Sequence, residues 1–333
     1  MQTLYRRLLD LMPRLGVHVT DLGPGTAVVS RRGGRVRTPL GPGADLLTRG
    51  DGRYAVTEAG KDTWVVARGR GLGRMRAERL GDSGARLLFD EEAGKDERKL
   101  QLAAAEYLCT QHVAGMLELY GVNCVFDVGA NAGQYAKRLR RLGYTGRIVS
   151  FEPTAHAFER LSAAAADDPA WQVHHLGLGR EDTVTAIHTG WNTMNSLLPP
   201  SDYGLGRYRR FNETRTEEIR VRRLDGVLDE ALDGIENPRP FLKMDTQGYD
   251  LEVFAGAGER IGDFVGLQSE VAVLRLYEGS PRMSEAVAAY EDGGFEITGM
   301  YPVTREAATG RVVEFDCVMM RAKAAPERGL AVR

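Results

Sequence analysis

From Cys124 onward the chain alternates between short apolar runs and segments with helical spacing, and this alternation restricts the fold more than any other feature. CVFDVGA (124–130) is short and apolar like a buried strand, AGQYAKRLRRLGY (132–144) is helical, RIVSFEP returns to strand character, and residues 155–166 form an Ala-rich helix. WQVHHLGLG (171–179) and TVTAIHT (183–189) predict the next two strands. Farther on, PFLKMDTQG (240–248) and FVGLQSEV (264–271) read as strands with the helix LEVFAGAG between them. MSEAVAAYEDGG is then a helix, FEITGMYPV a strand and VVEFDCVMMRA the last strand. Strands alternating with helices of this length build βαβ units, hence an α/β fold with a mostly parallel sheet flanked on both faces by helices. Ligands in such sheets bind at the carboxyl ends of the strands, beside the point where strand order reverses.

The first hundred residues follow a different pattern. Residues 1–15 carry Leu4, Leu8, Leu11 and Leu15 at helical spacing, ended by Pro13. Between Gly16 and Leu88 the runs VHVTDL, TAVVS, RYAVT and TWVVARG are separated by Gly/Pro-rich turns, among them GPG at 23–25 and again at 41–43. A small β-rich module over residues 1–97 is expected, bounded by the polar segment DEEAGKDE (90–97). A helix over 98–120 then presents Leu100, Ala104, Leu108, Met116 and Leu119 on its apolar side and opens the α/β domain (98–322), leaving a tail at 323–333.

The formal net charge is only −2, but residues 1–100 hold 19 Lys and Arg against 13 Asp and Glu, while the remainder holds 25 against 33. Scattered surface arginines account for that imbalance better than a nucleic-acid partner, because no basic patch is interleaved with aromatic residues. Substrate recognition, such as contact with a phosphate-bearing acceptor, and homodimerisation are the two uses expected of the basic module. No window approaches the roughly 18 uninterrupted apolar residues of a membrane span, and the N-terminus lacks a secretory pattern, so a cytoplasmic enzyme with no membrane partner is expected. Cys109, Cys124 and Cys317 are widely spaced, without CxxC or a neighbouring His, and predict neither a disulfide framework nor a zinc site.

In VFDVGANAGQY, the residues Asp127, Gly129, Asn131 and Gly133 stand where a strand passes into a helix, and Glu152 ends the next strand. Glycines let backbone approach a ligand closely, and an acid ending the second strand accepts hydrogen bonds from a ribose diol. A dinucleotide fold would prefer GxGxxG, with a helix N-terminus facing pyrophosphate. Here the spacing is DxGxNxG, and an aspartate before the turn suits the cationic sulfonium and ammonium of S-adenosylmethionine rather than a diphosphate. That reading disfavours a nucleotide-dependent oxidoreductase.

Six blocks, VFDVGANAGQYAKRLR, IVSFEP, VRRLDGVLDE, FLKMDTQGYDLEVFAGA, GLQSEVAVLRLYEG and EFDCVMMR, follow one another as the motifs of the FkbM methyltransferase family do. Residues from about 98 to 322 resemble that family; residues 1–97 are not covered. The resemblance implies a class I, Rossmann-like methyltransferase fold and S-adenosylmethionine as donor. It also implies O-methylation of a sugar, polyketide or other secondary-metabolite intermediate, antibiotics included, free or conjugated to a carrier. The cofactor-binding set so implied comprises Asp127, Gly129, Asn131, Gly133, Gln134 and Tyr135 in the first block, Glu152 and Pro153 in the second, then Gly177, Leu178 and Asp245. Gly177 stands where the family more often has Ala, and Asp250 where it usually has Glu. Asp316 matches an acid usual in the last strand.

Methyl transfer from a sulfonium is an in-line displacement whose electrophile is already activated, so the protein aligns the acceptor and, for an alcohol, removes its proton. Asp245 and Glu270, both at carboxyl ends of strands, are the candidate catalytic pair: base and orienting partner, or ligands of a divalent cation such as Mg²⁺. Capping of the following helix is the alternative use of Asp245. Lys243, two residues earlier on the same strand face, is expected to pair with a sheet neighbour. His174, His175 and His188 are weaker candidate bases, expected in polar core or surface positions. The aperiodic stretch 190–218 suggests a binding loop, with Trp191, Tyr203, Tyr208 and Phe211 beside Arg207, Arg209 and Arg210 as an aromatic and cationic cover. Trp191, Asn195, Ser196 and, from the other side, Tyr277 are the candidate substrate-binding residues. N-methylation and a non-catalytic, cofactor- and partner-binding module are the competing functions.

Overall fold

A computed structural model of the chain describes residues 18–23, 26–30, 35–41, 44–49, 54–60, 63–68, 75–82, 86–90 and 92–325. The expected helix over 1–15 and most of the 323–333 tail lie outside the described residues. The chain divides into two compact units, Met1–Leu100 and Gln101–Arg333.

Among the described residues of the first unit the backbone forms four antiparallel hairpins. They pair β1 (His18–Gly23) with β2 (Thr26–Ser30), β3 (Arg35–Gly41) with β4 (Ala44–Arg49), β5 (Tyr54–Gly60) with β6 (Thr63–Arg68), and β7 (Met75–Arg79) with β8 (Arg86–Asp90). Three of them close alike, with Gly23 opposite Thr26, Gly41 opposite Ala44 and Gly60 opposite Thr63, each after a shift of register. Two residues lie between the partners each time, the commonest length for a hairpin connection.

Helix α1 (Glu97–Leu119) precedes the alternating region. Its buried stripe is Ala105, Cys109, Val113 and Leu117, whereas Leu108 and Leu119 are exposed, so the apolar face is rotated by one residue from the expected one. The chain continues through β9 (Cys124–Val128), α2 (Gln134–Arg141), β10 (Arg147–Phe151), α3 (Ala155–Ala165), β11 (Trp171–His174), β12 (Gly177–Gly179) and β13 (Thr183–Thr189). Then come α4 (Asp202–Arg207), β14 (Arg215–Arg223), α5 (Asp225–Leu232), β15 (Pro240–Met244), α6 (Asp250–Gly256), β16 (Gly266–Ala272), α7 (Met283–Asp292), β17 (Glu296–Arg305) and β18 (Val312–Met320).

Seven strands form the central sheet in the order β11-β10-β9-β15-β16-β18-β17, parallel throughout except for the two pairings of β18. Strand order reverses between β9 and β15, which places the expected ligand crevice at their carboxyl ends. One face packs Val125, Ile148, Phe241 and Val318 against Val113 and Leu117 of α1 and Leu161 of α3. The opposite face packs Phe126, Val149, Leu242 and Leu267 against Leu228 of α5, Val253 of α6 and Tyr290 of α7.

A polar row interrupts the first of these faces. Ser150 is the register partner of Asp127, Asp127 of Lys243, and Lys243 of Gln268. Because side chains alternate across a strand, all four project toward the α1 side in the middle of an apolar layer, where each needs a partner.

Two expectations are corrected. The run WQVHHLGLG is not one strand: β11 stays in the central sheet, and β12 leaves it to join a separate three-stranded sheet, β12-β14-β13. The stretch 190–218 is not a loose loop either. It contains α4 and the start of β14, and Trp191, Phe211, Leu276, Tyr277 and Val313 bury one another in a small apolar core of their own.

Candidate active site

The turn after β9 is built by backbone geometry. Gly129 has φ +75°, and a Cβ there would lie 2.1 Å from the carbonyl oxygen of Asp245; at Gly133, φ +78°, it would meet the Trp171 ring at 2.6 Å. Asn131 also sits at positive φ (47°), and its side-chain oxygen accepts from the Ala132 amide (2.8 Å). The turn is fastened to the next strand: the Gly129 and Ala130 amides donate to Phe151 O, and the Asn131 amide donates to Glu152 Oε2 (2.9 Å). Glu152 Oε1 accepts from the amide and hydroxyl of Thr154 (2.9 and 2.6 Å). Burial pushes the Glu152 carboxyl above its ordinary range, against the opposing hydrogen bonds from Thr154 and Asn131.

A cavity of about 290 Å³ opens over this turn. Glu152 and Pro153 stand at one end of it, beside an apolar slot of Phe151, Leu178, Ile187, Leu197 and Ile219; Ile187 and Ile219 come from the three-stranded sheet. Asn131, Gln134, Tyr135 and Arg138 form one wall, and Lys243, Asp245, Gln268 and Asp316 the far end. A carboxylate has about four acceptor positions and Glu152 spends three within the protein, so it retains capacity for a ribose hydroxyl. The glycine turn, the acid and the adjacent apolar slot fit the ribose and adenine of S-adenosylmethionine. Gly177 lines the slot too, and an alanine there would make only ordinary contacts, 3.5–3.6 Å from Val221, Ile219 and Pro153.

The profile of the methyltransferase FkbM domain matches residues 127–297, half of the chain. The chain belongs to that family. It is an S-adenosylmethionine-dependent methyltransferase. The chain is 26% identical over 214 residues to Methyltransferase sdnD of Sordaria araneosa, covering 57% of this chain and 80% of that protein. It is 24% identical over 186 residues to 2-O-methyltransferase NoeI of Sinorhizobium fredii, covering 54% of this chain and 74% of NoeI. Among solved structures, magnesium protoporphyrin IX methyltransferase (ChlM) from Synechocystis PCC 6803 with bound SAM aligns at TM-score 0.35 and 10% identity, over 68% of this chain and 84% of that one.

Within the FkbM domain, Asp127 lies beneath the cavity rather than on its wall. It is fully buried, takes the Lys243 ammonium at 2.9 Å and accepts from Ser150 Oγ at 3.2 Å, while Trp171 Nε1 donates to Ser150 Oγ. Its charge is therefore matched inside the protein and does not meet the sulfonium as the sequence suggested; Gly133 likewise shapes the turn without lining the cavity. The expected pairing of Lys243 with a sheet neighbour is this contact. Burial works against the Lys243 charge, but Asp127 and Asp245 more than offset it and hold the ammonium above its ordinary range.

Asp245 and Glu270 are brought together through Gln247. Its Nε2 donates to Asp245 Oδ1 (2.8 Å) and to Glu270 Oε2 (2.9 Å), and its Oε1 accepts from the Tyr277 hydroxyl (2.9 Å). Asp245 lines the cavity with its side chain 43% exposed, whereas Glu270 is set behind Gln247 and does not line it. Burial, with Glu314, Asp245 and Asp316 nearby, pushes the Glu270 carboxyl well above its ordinary range. The oxygens facing between the two acids are both taken by the Gln247 amide, an arrangement that does not fit a shared Mg²⁺ ion. No group of three or more potential metal ligands occurs among the described residues.

Asp245 does not cap α6; Asp250 does the local bracing. Its buried carboxylate accepts from Thr246 N (2.8 Å), Thr246 Oγ1 (2.5 Å), Ser269 Oγ (2.7 Å) and Glu270 N (3.2 Å). Of the expected substrate residues, Asn195 lines the cavity and its Oδ1 accepts from Trp191 N. Ser196 is buried and donates to Gln247 O (2.8 Å). Trp191 is fully buried against Phe211, and Tyr277 is 2% exposed with its hydroxyl turned to Gln247 and Met194, so neither lines the cavity. Tyr203 is bonded to Glu306. His174 and His175 stack on Phe151 and Phe158, His188 on Trp191, and none of the three reaches the cavity. Sequence reasoning missed Ile187, Leu197, Ile219, Arg138 and Gln268 as cavity residues; only the alternation in TVTAIHT pointed to Ile187.

Proposed function

We propose that this methyltransferase acts on a hydroxyl group, with Asp245 as the general base. The observation that carries the reading is the position of Asp245: half-exposed in the cavity at the carboxyl end of β15, one oxygen held by Gln247 and the other 3.7 Å from Lys243 Nζ. S-adenosylmethionine supplies a methyl group already activated on sulfur, which leaves alignment and proton removal to the protein. With the donor bound, the methyl group would pass to the acceptor oxygen, sulfur would keep the electron pair of the broken C–S bond, and Asp245 would take the proton that the hydroxyl loses. Glu270 accepts from the Gln247 amide and so supports the orientation of Asp245.

At the acceptor end the cavity is lined by Asp245, just past β15, and Asp316 of β18, with the carboxyl groups of Glu270 and Glu314 behind them. A neutral, hydroxylated acceptor suits that field better than an anionic one. This supports a sugar or polyketide alcohol, free or carrier-conjugated, and agrees with the 2-O-methyltransferase named among the relatives. The test is transfer of labelled methyl to a panel of methyl glycosides, polyketide alcohols and matched amines. Wild type is expected to label alcohols, and Asp245→Asn to lose roughly 10²- to 10⁴-fold in turnover with donor affinity kept. Labelling of amines alone, or full activity in Asp245→Asn, overturns the reading.

A further inference from the structure

S-adenosylmethionine presents a ribose diol at one end and an amino-acid zwitterion at the other, and the diol end belongs to Glu152. Nine bonds separate a ribose oxygen from the carboxylate, roughly 10 Å when extended. Adjacent strands are about 4.8 Å apart, so the carboxylate reaches about two strands from β10, across β9 to β15. Asp316 on β18 is four strands from β10, roughly 19 Å on the same spacing, and lies beyond the donor in the acceptor region.

Over β15 the cavity wall is α2: the Tyr135 ring lies 5.3 Å from Lys243 Nζ, and Gln134 and Arg138, four residues apart, share a helix face and both line the cavity. Two cations line it, Lys243 and Arg138. The Lys243 ammonium is surrounded by Asp127 (2.9 Å), the carbonyl of Gly129 (3.3 Å) and Asp245 (3.7 Å). Arg138 is bound less completely. Its Nη2 donates to Glu106 (2.5 Å) and its Nη1 to Thr110 Oγ1 (3.3 Å), two of the five donors of a guanidinium. Glu106 is 62% exposed, so that ion pair holds the arginine only weakly.

Resting on the S-adenosylmethionine reading, we propose that Arg138 binds the α-carboxylate of the methyl donor. The guanidinium fork matches a carboxylate, and the positive end of α2 adds to the attraction. Calorimetric titration with S-adenosylmethionine, S-adenosylhomocysteine and 5′-methylthioadenosine, which lacks the amino acid, tests the assignment. Arg138→Gln is expected to weaken the first two roughly 10- to 100-fold, the usual loss for a charged hydrogen bond, and to leave the third unchanged. Glu152→Gln should weaken all three, and Arg138→Lys should recover part of the loss. Glu106→Gln breaks the ion pair alone and should leave all three affinities as they are. Equal loss on all three compounds in Arg138→Gln, no loss on any, or the same loss in Glu106→Gln overturns the proposal. If wild type binds none of them, the methyl-donor reading itself falls.

Discussion

Replacing Lys243 with methionine isolates the buried ion pair under the cofactor turn. The methionine keeps the stem packed beside Tyr135 and removes only the ammonium. Asp127, with no exposed surface, is then left with one neutral donor, the Ser150 hydroxyl at 3.2 Å. Breaking a buried pair on one side costs about 3–5 kcal/mol, a large part of the 5–15 kcal/mol by which domains are ordinarily stable. Asp127→Asn should cost less, about 1–3 kcal/mol, because the ammonium keeps Gly129 O at 3.3 Å and Asp245 at 3.7 Å. The double variant Asp127→Asn/Lys243→Met buries no unmatched charge and should recover most of the loss. Urea unfolding followed by tryptophan fluorescence reads this directly, as a shift of midpoint at constant slope, since Trp171 is bonded to the Ser150 hydroxyl. A cost below about 1 kcal/mol for Lys243→Met, or a double variant no more stable than it, refutes the assignment of Asp127 to an internal pair.

Three further outcomes are expected. Gly129→Ala should abolish S-adenosylmethionine binding in calorimetry and lower the melting temperature, because its methyl would fall 2.1 Å from Asp245 O at a backbone angle of +75°. Burial raises the Asp316 carboxyl to about 6. The unfolded chain therefore releases that proton first as pH rises from about 4 to 6, and wild type loses up to about 3 kcal/mol of stability across that window. Asp316→Asn should match wild type near pH 4 and exceed it at pH 7.5 in denaturant midpoint; the reverse order would show that Asp316 is not raised. Gln247→Glu exchanges a shared donor for a third acid between Asp245 and Glu270, and turnover should fall by about 10² while donor affinity changes less than threefold.

How far the sequence reveals this site depends on whether a residue acts through backbone spacing or through a distant partner. Gly129, Asn131 and Glu152 are legible because strand, turn and strand follow one another directly, and their roles depend on that local order. Asp127 was misread because its charge is visible in the sequence while its match, Lys243, is 116 residues away and becomes its partner only through the register of β9 with β15. Glu270 and Asp245 share the Gln247 amide, but nothing in the spacing shows that this side chain comes between them. The aromatic residues of 190–218 looked like a ligand cover because no periodicity marks a core assembled from Trp191, Phe211, Leu276 and Tyr277, which are scattered over nearly ninety positions. Strand β14 went unseen because only Ile219 and Val221 of its nine residues are buried. The repeated GPG turns did announce hairpins, and two of the three alike closures begin there.

Gln247 joins Asp245, Glu270, Tyr277 and, through its carbonyl, Ser196, whose neighbours Asn195 and Leu197 line the cavity. Variation at any of these partners is felt by the others, so the network resists being changed one position at a time. Redesign of the cavity therefore has its practical starting points at Asn192 and Thr193, which line it without belonging to that network.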